Sequence, residues 1–335
     1  MTTANRPGIC FTMMMMMKLL QRFLMTGAAI GSLASCAEQG VTRAIPIAPN
    51  TAHLYADGTS AQMMPVMLPE RAMLVATSGP SIRAASYLLL NARTGQHLAG
   101  RSFETARGVA STQKLITALV VLDAGNLDKK VRVQASDVAV EPTRLGVKPG
   151  EVYSRRELLY AFLVKSANDV ANVLARDNAG SIAAFAYKMN AKASALGCSN
   201  SNFRNPHGLT MPGQYSTARD MARVAMAAYR NDVIRDVVRR KYFSFHRADG
   251  RVITLTNTNE LLGKMSECNG MKTGYTVASG RCLISSASSG GREVILVQLG
   301  TKTKYIWEDA RIMMSWGLKR LGSSGGVAMN DWAGN

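Results

Sequence analysis

What most constrains this chain is the order of its strand-like and helix-like segments. YLLLNARTGQHLAG reads as two short strands around a turn at Ala92–Gly95. After a polar stretch to Ala110 comes STQKLITALVVLDAG, with a hydroxyl residue at its start, apolar residues through its middle and Gly125 at its end, the punctuation of a buried helix. Further helices are expected at about 155–165, 168–178, 181–196 and 217–230, separated by turn clusters such as NPHG and MPGQ, and this block shows no convincing strand. YFSF, RVITL, NGMKTGYT, RCLISSA and REVILVQ then read as strands, followed by a closing helix from Trp307 to Leu321. Strand segments at both ends of a helical block imply one antiparallel sheet, split in sequence by a helical lobe and flanked by helices, a fold of the α+β kind within the wider α/β class. There is no internal repeat.

With 335 residues, 47% hydrophobic and 19% charged, the chain can bury a substantial core. Its charge is unusual: 40 Lys+Arg against 22 Asp+Glu give +18, which favours a polyanionic neighbour. The basic residues are scattered, and no RNP, helix-turn-helix or finger signature is present, so nucleic acid is not expected as a partner. An anionic cell envelope accounts for the charge equally well.

The N-terminal segment points the same way. Lys18 and Arg22 precede an apolar run from Phe23 to Leu33, and small residues follow, the pattern of a signal peptide over residues 1–35 and too short for a stable membrane span. Leu33-Ala34-Ser35-Cys36 resembles the lipobox of bacterial lipoproteins, which would make Cys36 a lipidated N-terminus and a membrane anchor; ordinary cleavage nearby, with Cys36 an incidental thiol, is the alternative. Removing residues 1–35 takes away Arg6, Lys18 and Arg22 and no acid, so the basic character belongs to the folded part. Residues 36–80 read as a flexible tether, 81–322 as the folded domain and 323–335 as a tail. Cys268 and Cys282 flank an expected hairpin and would bridge only if the register sets them opposite each other; Cys198 reads as a small buried residue.

Three short elements carry the chemistry: Ser111-Thr112-Gln113-Lys114, Ser166-Ala167-Asn168 and Lys272-Thr273-Gly274. Each alone is weak, since a serine three residues before a lysine is ordinarily a helix cap beside a solvated side chain. Their order and their placement, on a helix start, a loop before a helix and a strand, carry the argument. Residues three apart on a helix share a face, so Lys114 Nζ can reach Ser111 Oγ as its base. A lysine with an ordinary pKa is a poor base, so the site must favour the neutral amine by burial and nearby positive charge, which Lys272 can supply. A helix N-terminus also presents free backbone N–H groups for an oxyanion.

The three elements match the S-x-x-K, S-x-N and K-T-G set of the penicillin-recognising serine enzymes. The stretches VASTQKLITALVVLDAGNL, LLYAFLVKSANDVANVLA, LGCSNSNFRNPHGLTMPGQYSTARDMA and NGMKTGYTVASGRCLISSA extend the match, and over about residues 82–320 the chain resembles the low-molecular-mass D-alanyl-D-alanine carboxypeptidases. That resemblance implies a β-lactamase/transpeptidase-like fold. It implies Ser111 as acylated nucleophile, Lys114 as base, Ser166 as proton relay and Asn168 as a holder of the substrate amide. It implies Lys272 and Thr273, with Gly274, as anchors of the substrate's terminal carboxylate, and the N–H of Tyr275 as a partner of that of Ser111 in the oxyanion hole. The reaction would release D-alanine from peptidoglycan stem peptides in two acyl-transfer steps without metal or cofactor, and penicillins and other β-lactams would acylate the same serine. The resemblance places the protein in the periplasm or outer envelope. Members often carry a further C-terminal β-domain and membrane-binding helix, neither of which is expected here after the closing helix, and an arginine just before that helix. Ile306 takes that arginine's place, with Lys302 and Lys304 nearby, and the role is left unassigned.

Rival functions are a D,D-endopeptidase on cross-linked peptides, a class A-like β-lactamase and an inactive wall-binding protein. The β-lactamase reading lacks its usual deacylating glutamate, since no Glu occurs between Glu157 and Glu260. The wall-binding reading gives no chemical reason for all three motifs. A Ser-His-Asp triad would need one of the four histidines near a nucleophile elbow. His207 is expected to shape a loop bordering the cleft, Asp169 to be a first-turn helix charge, and Tyr215 and Asp220 to be loop and cap residues.

Overall fold

The computed structural model describes residues 79–323. The expected signal peptide, Cys36, the tether up to residue 78 and the tail from residue 324 lie outside the described residues. In chain order the elements are β1 (Ser86–Asn91), β2 (His97–Arg101), a 3-10 turn (Ala110–Gln113), α1 (Lys114–Asp123), β3 (Lys130–Arg132), α2 (Ala135–Val138), β4 (Val152–Ser154), α3 (Arg155–Lys165), α4 (Asn168–Ala179), α5 (Ile182–Ala195), α6 (Ala218–Arg230), α7 (Asp232–Val238), β5 (Tyr242–His246), β6 (Val252–Thr256), β7 (Cys268–Thr276), β8 (Gly280–Ser289), β9 (Arg292–Thr301) and α8 (Ile306–Ser323).

The main sheet runs β2-β1-β9-β8-β7, antiparallel throughout, with β1 beside β9 in the register Ser86↔Leu299 to Asn91↔Val294. The first and last strands thus pair within one sheet, although the helical lobe separates them in sequence. The period-2 alternation of strands sorts its apolar side chains to two faces. Leu88, Leu90, Ile295 and Val297 join the larger core beneath the helical lobe. Leu89, Val294, Leu296 and Leu283 join a second core under α8, against Met313, Met314 and Leu318. Burial on both faces explains why β1 and β9 read as continuous apolar runs.

Within the lobe α1 is the hub. Its residues from Lys114 to Val121 are all buried, and it packs on α3, α4, α5 and α6. Helix starts are marked locally. The Ser154 hydroxyl accepts from Glu157 N–H while the Glu157 carboxylate accepts from Ser154 N–H, a reciprocal cap for α3. Ser181, Thr217 and Asn231 cap α5, α6 and α7 one way only, their side chains accepting from the N–H groups of Ala184, Asp220 and Ile234.

Three expectations are corrected. YFSF and RVITL do not enter the main sheet: β5 and β6 form a separate hairpin, with Phe245 and Leu255 buried and most neighbours exposed. It packs its aromatic side on α3, where Tyr160 and Phe243 rings are 5.5 Å apart. Second, the lobe does contain strands. β3 and β4 pair as Lys130↔Ser154 to Arg132↔Val152, and at three residues each they are too short to show an alternation. Third, Cys268 and Cys282 are both free, because β7 and β8 set Cys268 opposite Ala287 and Cys282 opposite Gly274.

Both thiols are buried, so neither should react with an alkylating agent in the native protein, and both should react in denaturant without reductant. Mass analysis finding them linked would contradict this register.

Candidate active site

Ser111 lies in the 3-10 turn, one residue past Ala110, which takes a left-handed φ of 48°. It does not cap α1, which begins at Lys114 with no side-chain cap; the tight turn still leaves the two side chains on one face. Lys114 Nζ lies 2.7 Å from Ser111 Oγ and 2.8 Å from Asn168 Oδ1, and also donates to the carbonyl of His207. The Ser111 hydroxyl is 3.1 Å from that same carbonyl.

These partners fix what the amine can do. Lys114 is completely buried, with Phe162 beneath it at 6.0 Å. Burial first, and the charge of Lys272 second, hold its pKa well below the ordinary lysine range, with Asp169 opposing. An ammonium would donate to all three neighbours. The neutral amine keeps two N–H donors, matched by the two groups that only accept, Asn168 Oδ1 and the His207 carbonyl, and its lone pair then faces the Ser111 hydroxyl. The geometry is that of a base and its nucleophile.

Each partner is held in turn. The Asn168 amide donates to the carbonyls of Glu141 and Pro142, both at 3.0 Å, which orients Oδ1 toward Lys114. Asp169, fully buried, accepts from the N–H of Leu145 and Gly146 at 2.9 and 2.8 Å. It is thus more than the first-turn charge expected, since it anchors the loop that bounds the cleft. His207 does shape its loop: Nδ1 accepts from Leu209 N–H at 3.2 Å, and burial and Lys114 push its pKa down to about 3, so the ring is neutral. The functional group is its carbonyl, which sequence reasoning did not single out. Asn205 aims it, accepting from Gly208 N–H at 2.7 Å and donating to Leu209 O at 2.9 Å, while Gln113 and Thr117 of the Ser111 segment donate to Asn205 O and Pro206 O. The N-P-H-G turn was the only signal. Asp220 sits in the first turn of α6 and ties down Asn200 N–H and Ser201 Oγ at 2.8 and 2.7 Å.

Ser166 ends α3 in the left-handed region, φ 64°, and opens on the cleft, but its hydroxyl makes no hydrogen bond among the described residues. β7 forms the opposite wall as an edge strand of the main sheet. Gly274 lies so close to the Ser111 turn that a Cβ there would sit 2.8 Å from Ser111 N, which explains the glycine of K-T-G. Thr273 Oγ1 is 2.6 Å from Thr258 Oγ1. Lys272, on the same strand, is fully buried, donating to Thr273 O at 3.1 Å, with burial lowering its pKa to about 7. A cavity of about 330 Å³ runs between these walls, lined by Ser111, Ser166, Thr273, Gly274 and Tyr275 among others. The structure therefore brings Ser111, Lys114 and Asn168 into one hydrogen-bonded group and sets Ser166, Thr273, Gly274 and Tyr275 around one cavity, with Lys272 buried and outside its lining.

Comparison with known proteins agrees with this geometry. The family model described as D-alanyl-D-alanine carboxypeptidase matches residues 73–303. The D-alanyl-D-alanine carboxypeptidase DacB2 of Mycobacterium tuberculosis is 34% identical over 244 residues, covering 71% of this chain and 83% of the relative. DacC of Escherichia coli is 32% identical, covering 72% of this chain and 62% of the relative, and the D-alanyl-D-alanine endopeptidase of Escherichia coli is 30% identical, covering 75% and 83%. The crystal structure of the Streptomyces K15 DD-transpeptidase superposes with a TM-score of 0.69 at 32% identity, covering 72% of this chain and 99% of that one.

Gly208 has φ 90°, and a Cβ there would run into the Ala110 carbonyl and lie 2.8 Å from Ser111 N. Gly208→Ala should displace the Ser111 turn and lower the rate of covalent labelling of Ser111 by at least about 100-fold. A labelling rate within threefold of wild type would show that the 205–208 loop does not position the serine.

Proposed function

The chain belongs to the D-alanyl-D-alanine carboxypeptidase family, and from that premise we propose that it removes the terminal D-alanine from peptidoglycan stem peptides through an acyl-enzyme on Ser111. The observation that carries this is the 2.7 Å approach of Lys114 Nζ to Ser111 Oγ, with both remaining N–H groups matched to Asn168 Oδ1 and the His207 carbonyl. Neutral Lys114 takes the hydroxyl proton as Ser111 Oγ attacks the carbonyl of the D-Ala-D-Ala bond, and gives it to the leaving amine of D-alanine. Water then attacks the ester and restores the serine. Asn168 serves both the amine and the substrate amide, and Ser166, on the cavity wall, relays protons. The N–H groups of Ser111 and Tyr275 stabilise the oxyanion. Thr273 and Gly274 line the end that receives the terminal carboxylate, with Lys272 contributing positive potential. Penicillins enter as mimics of the D-Ala-D-Ala end.

The similarity to an endopeptidase supports a second reading, hydrolysis of cross-linked peptides by the same residues. A soluble acyl-tripeptide and a cross-linked dimer, assayed side by side, separate the two. Because the substrate is an envelope polymer, the protein acts outside the cytoplasm. Lys18, Arg22, the apolar Phe23–Leu33 run and Leu33-Ala34-Ser35-Cys36 support export as a lipoprotein held at the periplasmic face of the envelope through Cys36. Metabolic incorporation of labelled fatty acid, lost in Cys36→Ala, is the expected result; incorporation that persists in that variant rejects the anchor.

Exposure to a labelled penicillin should add one adduct, mapped to the peptide containing Ser111 and absent in Ser111→Ala. Its release should be slow, and fast repeated hydrolysis would argue for a β-lactamase. If Ser111→Ala releases D-alanine as wild type does, the mechanism fails.

The acylation rate should be on its plateau above the depressed pKa of Lys114 and fall about tenfold per pH unit below it, as the base becomes protonated. Removing the positive charge in Lys272→Gln raises the pKa of Lys114 and should move that limb to higher pH. A wild-type profile that climbs only in the ordinary lysine range would show that Lys114 is not the base.

A further inference from the structure

A substrate ending in a free carboxylate needs a cation at the cleft wall to be told from an uncharged analogue. Lys272 is poorly placed for direct contact: it is fully buried, donates to Thr273 O at 3.1 Å and does not line the cavity. Lys302 and Lys304 precede α8 on the surface and do not line it either, and Lys304 Nζ lies 4.8 Å over the Tyr305 ring. Ile306 and Trp307 line it without charge.

Arg281 does line it, together with Thr273 and Ser111. It stands at the start of β8, paired with Tyr275 on β7 and Thr301 on β9, so the sheet fixes its backbone. Its guanidinium carbon lies 4.6 Å over the Tyr275 ring, and Nε donates to Thr303 Oγ1 at 3.1 Å. These two contacts set the plane of the guanidinium and use only the Nε–H. Among the described residues, neither Nη1 nor Nη2 makes a hydrogen bond and no carboxylate pairs with the group. The one carboxylate on the cavity wall, Glu260, is paired instead with Lys264 at 3.1 Å. A stacked guanidinium with its outer donors open is suited to grip a carboxylate through two parallel N–H···O bonds, which a lysine cannot do.

We propose that Arg281 binds the terminal carboxylate of the substrate and sets the enzyme's requirement for a free C-terminal acid. This rests on the carboxypeptidase reading and adds to it the residue that supplies the charge. Thr273 then contributes a neutral hydrogen bond beside the ion pair, and Tyr275 acts through its ring as the platform that holds the guanidinium.

The test uses a diacetylated L-Lys-D-Ala-D-Ala peptide and the same peptide ending in a carboxamide, with kcat/KM measured for both on wild type, Arg281→Gln and Arg281→Lys. Wild type should prefer the acid. Arg281→Gln should lower the acid-to-amide ratio at least about tenfold, chiefly through KM for the acid, the size expected for losing a charged hydrogen-bonded contact. Arg281→Lys keeps a positive charge without the fork and covers the case in which the glutamine variant fails to fold; its ratio should fall at least about threefold. An unchanged ratio in either folded variant, or an equal loss on both peptides, overturns the role of Arg281. A wild-type enzyme that cleaves neither peptide overturns the carboxypeptidase reading, and the role of Arg281 with it.

Discussion

A lysine amine buried against a serine hydroxyl is the constraint around which the rest of the molecule is arranged. Taking an ammonium group fully out of water is costly, and a protein meets that cost most readily by letting the group shed its proton. Here burial does most of the work and the charge of Lys272 adds to it. The neighbours of Lys114 are chosen for the same end. A carboxylate in hydrogen-bond contact would have stabilised the ammonium; the amide oxygen of Asn168 and the carbonyl of His207 satisfy N–H groups without adding a full negative charge. Asp169 is the nearest counter-influence, and its carboxylate is occupied by the backbone N–H groups of Leu145, Gly146 and Val170.

Placing an amine this deep requires rigid surroundings, because a small shift of any partner leaves a buried donor unmatched. The fold supplies rigidity from both layers. α1 is packed on four helices and carries Lys114 into the core, while β7 is locked to β8 through eight paired residues and brings Gly274 against the Ser111 turn. The loops between them are fastened by buried polar side chains. Asn205 closes the 205–209 turn on itself, Gln113 and Thr117 bind it to the serine segment, and Asn168 and Asp169 hold the 141–146 loop. The site therefore depends on polar groups in the interior whose partners come from distant parts of the chain.

That dependence explains what the sequence showed and what it hid. The sheet, the helical lobe and the closing helix were legible because their apolar periods are long, and the three motifs were legible because a serine and lysine three apart on a helix have few arrangements. The β3–β4 pair and the short helices α2 and α7 were hidden by their length, since three to seven residues hold too little of any period. YFSF and RVITL were correctly strands and wrongly placed, because alternation in a strand does not say which sheet receives its apolar face. The His207 carbonyl was invisible for a different reason: a backbone oxygen carries no signature of residue type, and only the coordinates show where the turn aims it.

Two conformations at the site go further than any motif. Ala110 and Ser166 both take positive φ, which side-chain-bearing residues adopt at a cost. One immediately precedes the nucleophile and the other opens on the same cavity. Glycine would relieve the strain at either position, but at 166 it would remove a hydroxyl from the cavity wall, and at 110 it would loosen the turn that holds Ser111. Left-handed residues of this kind persist only where the surroundings overdetermine them, and here the surroundings are the buried part of α1 on one side and the sheet edge on the other. The strain, the buried amine and the close approach of Gly274 are thus three expressions of one arrangement, in which the stability of the two cores holds the reacting groups where a free chain would not leave them.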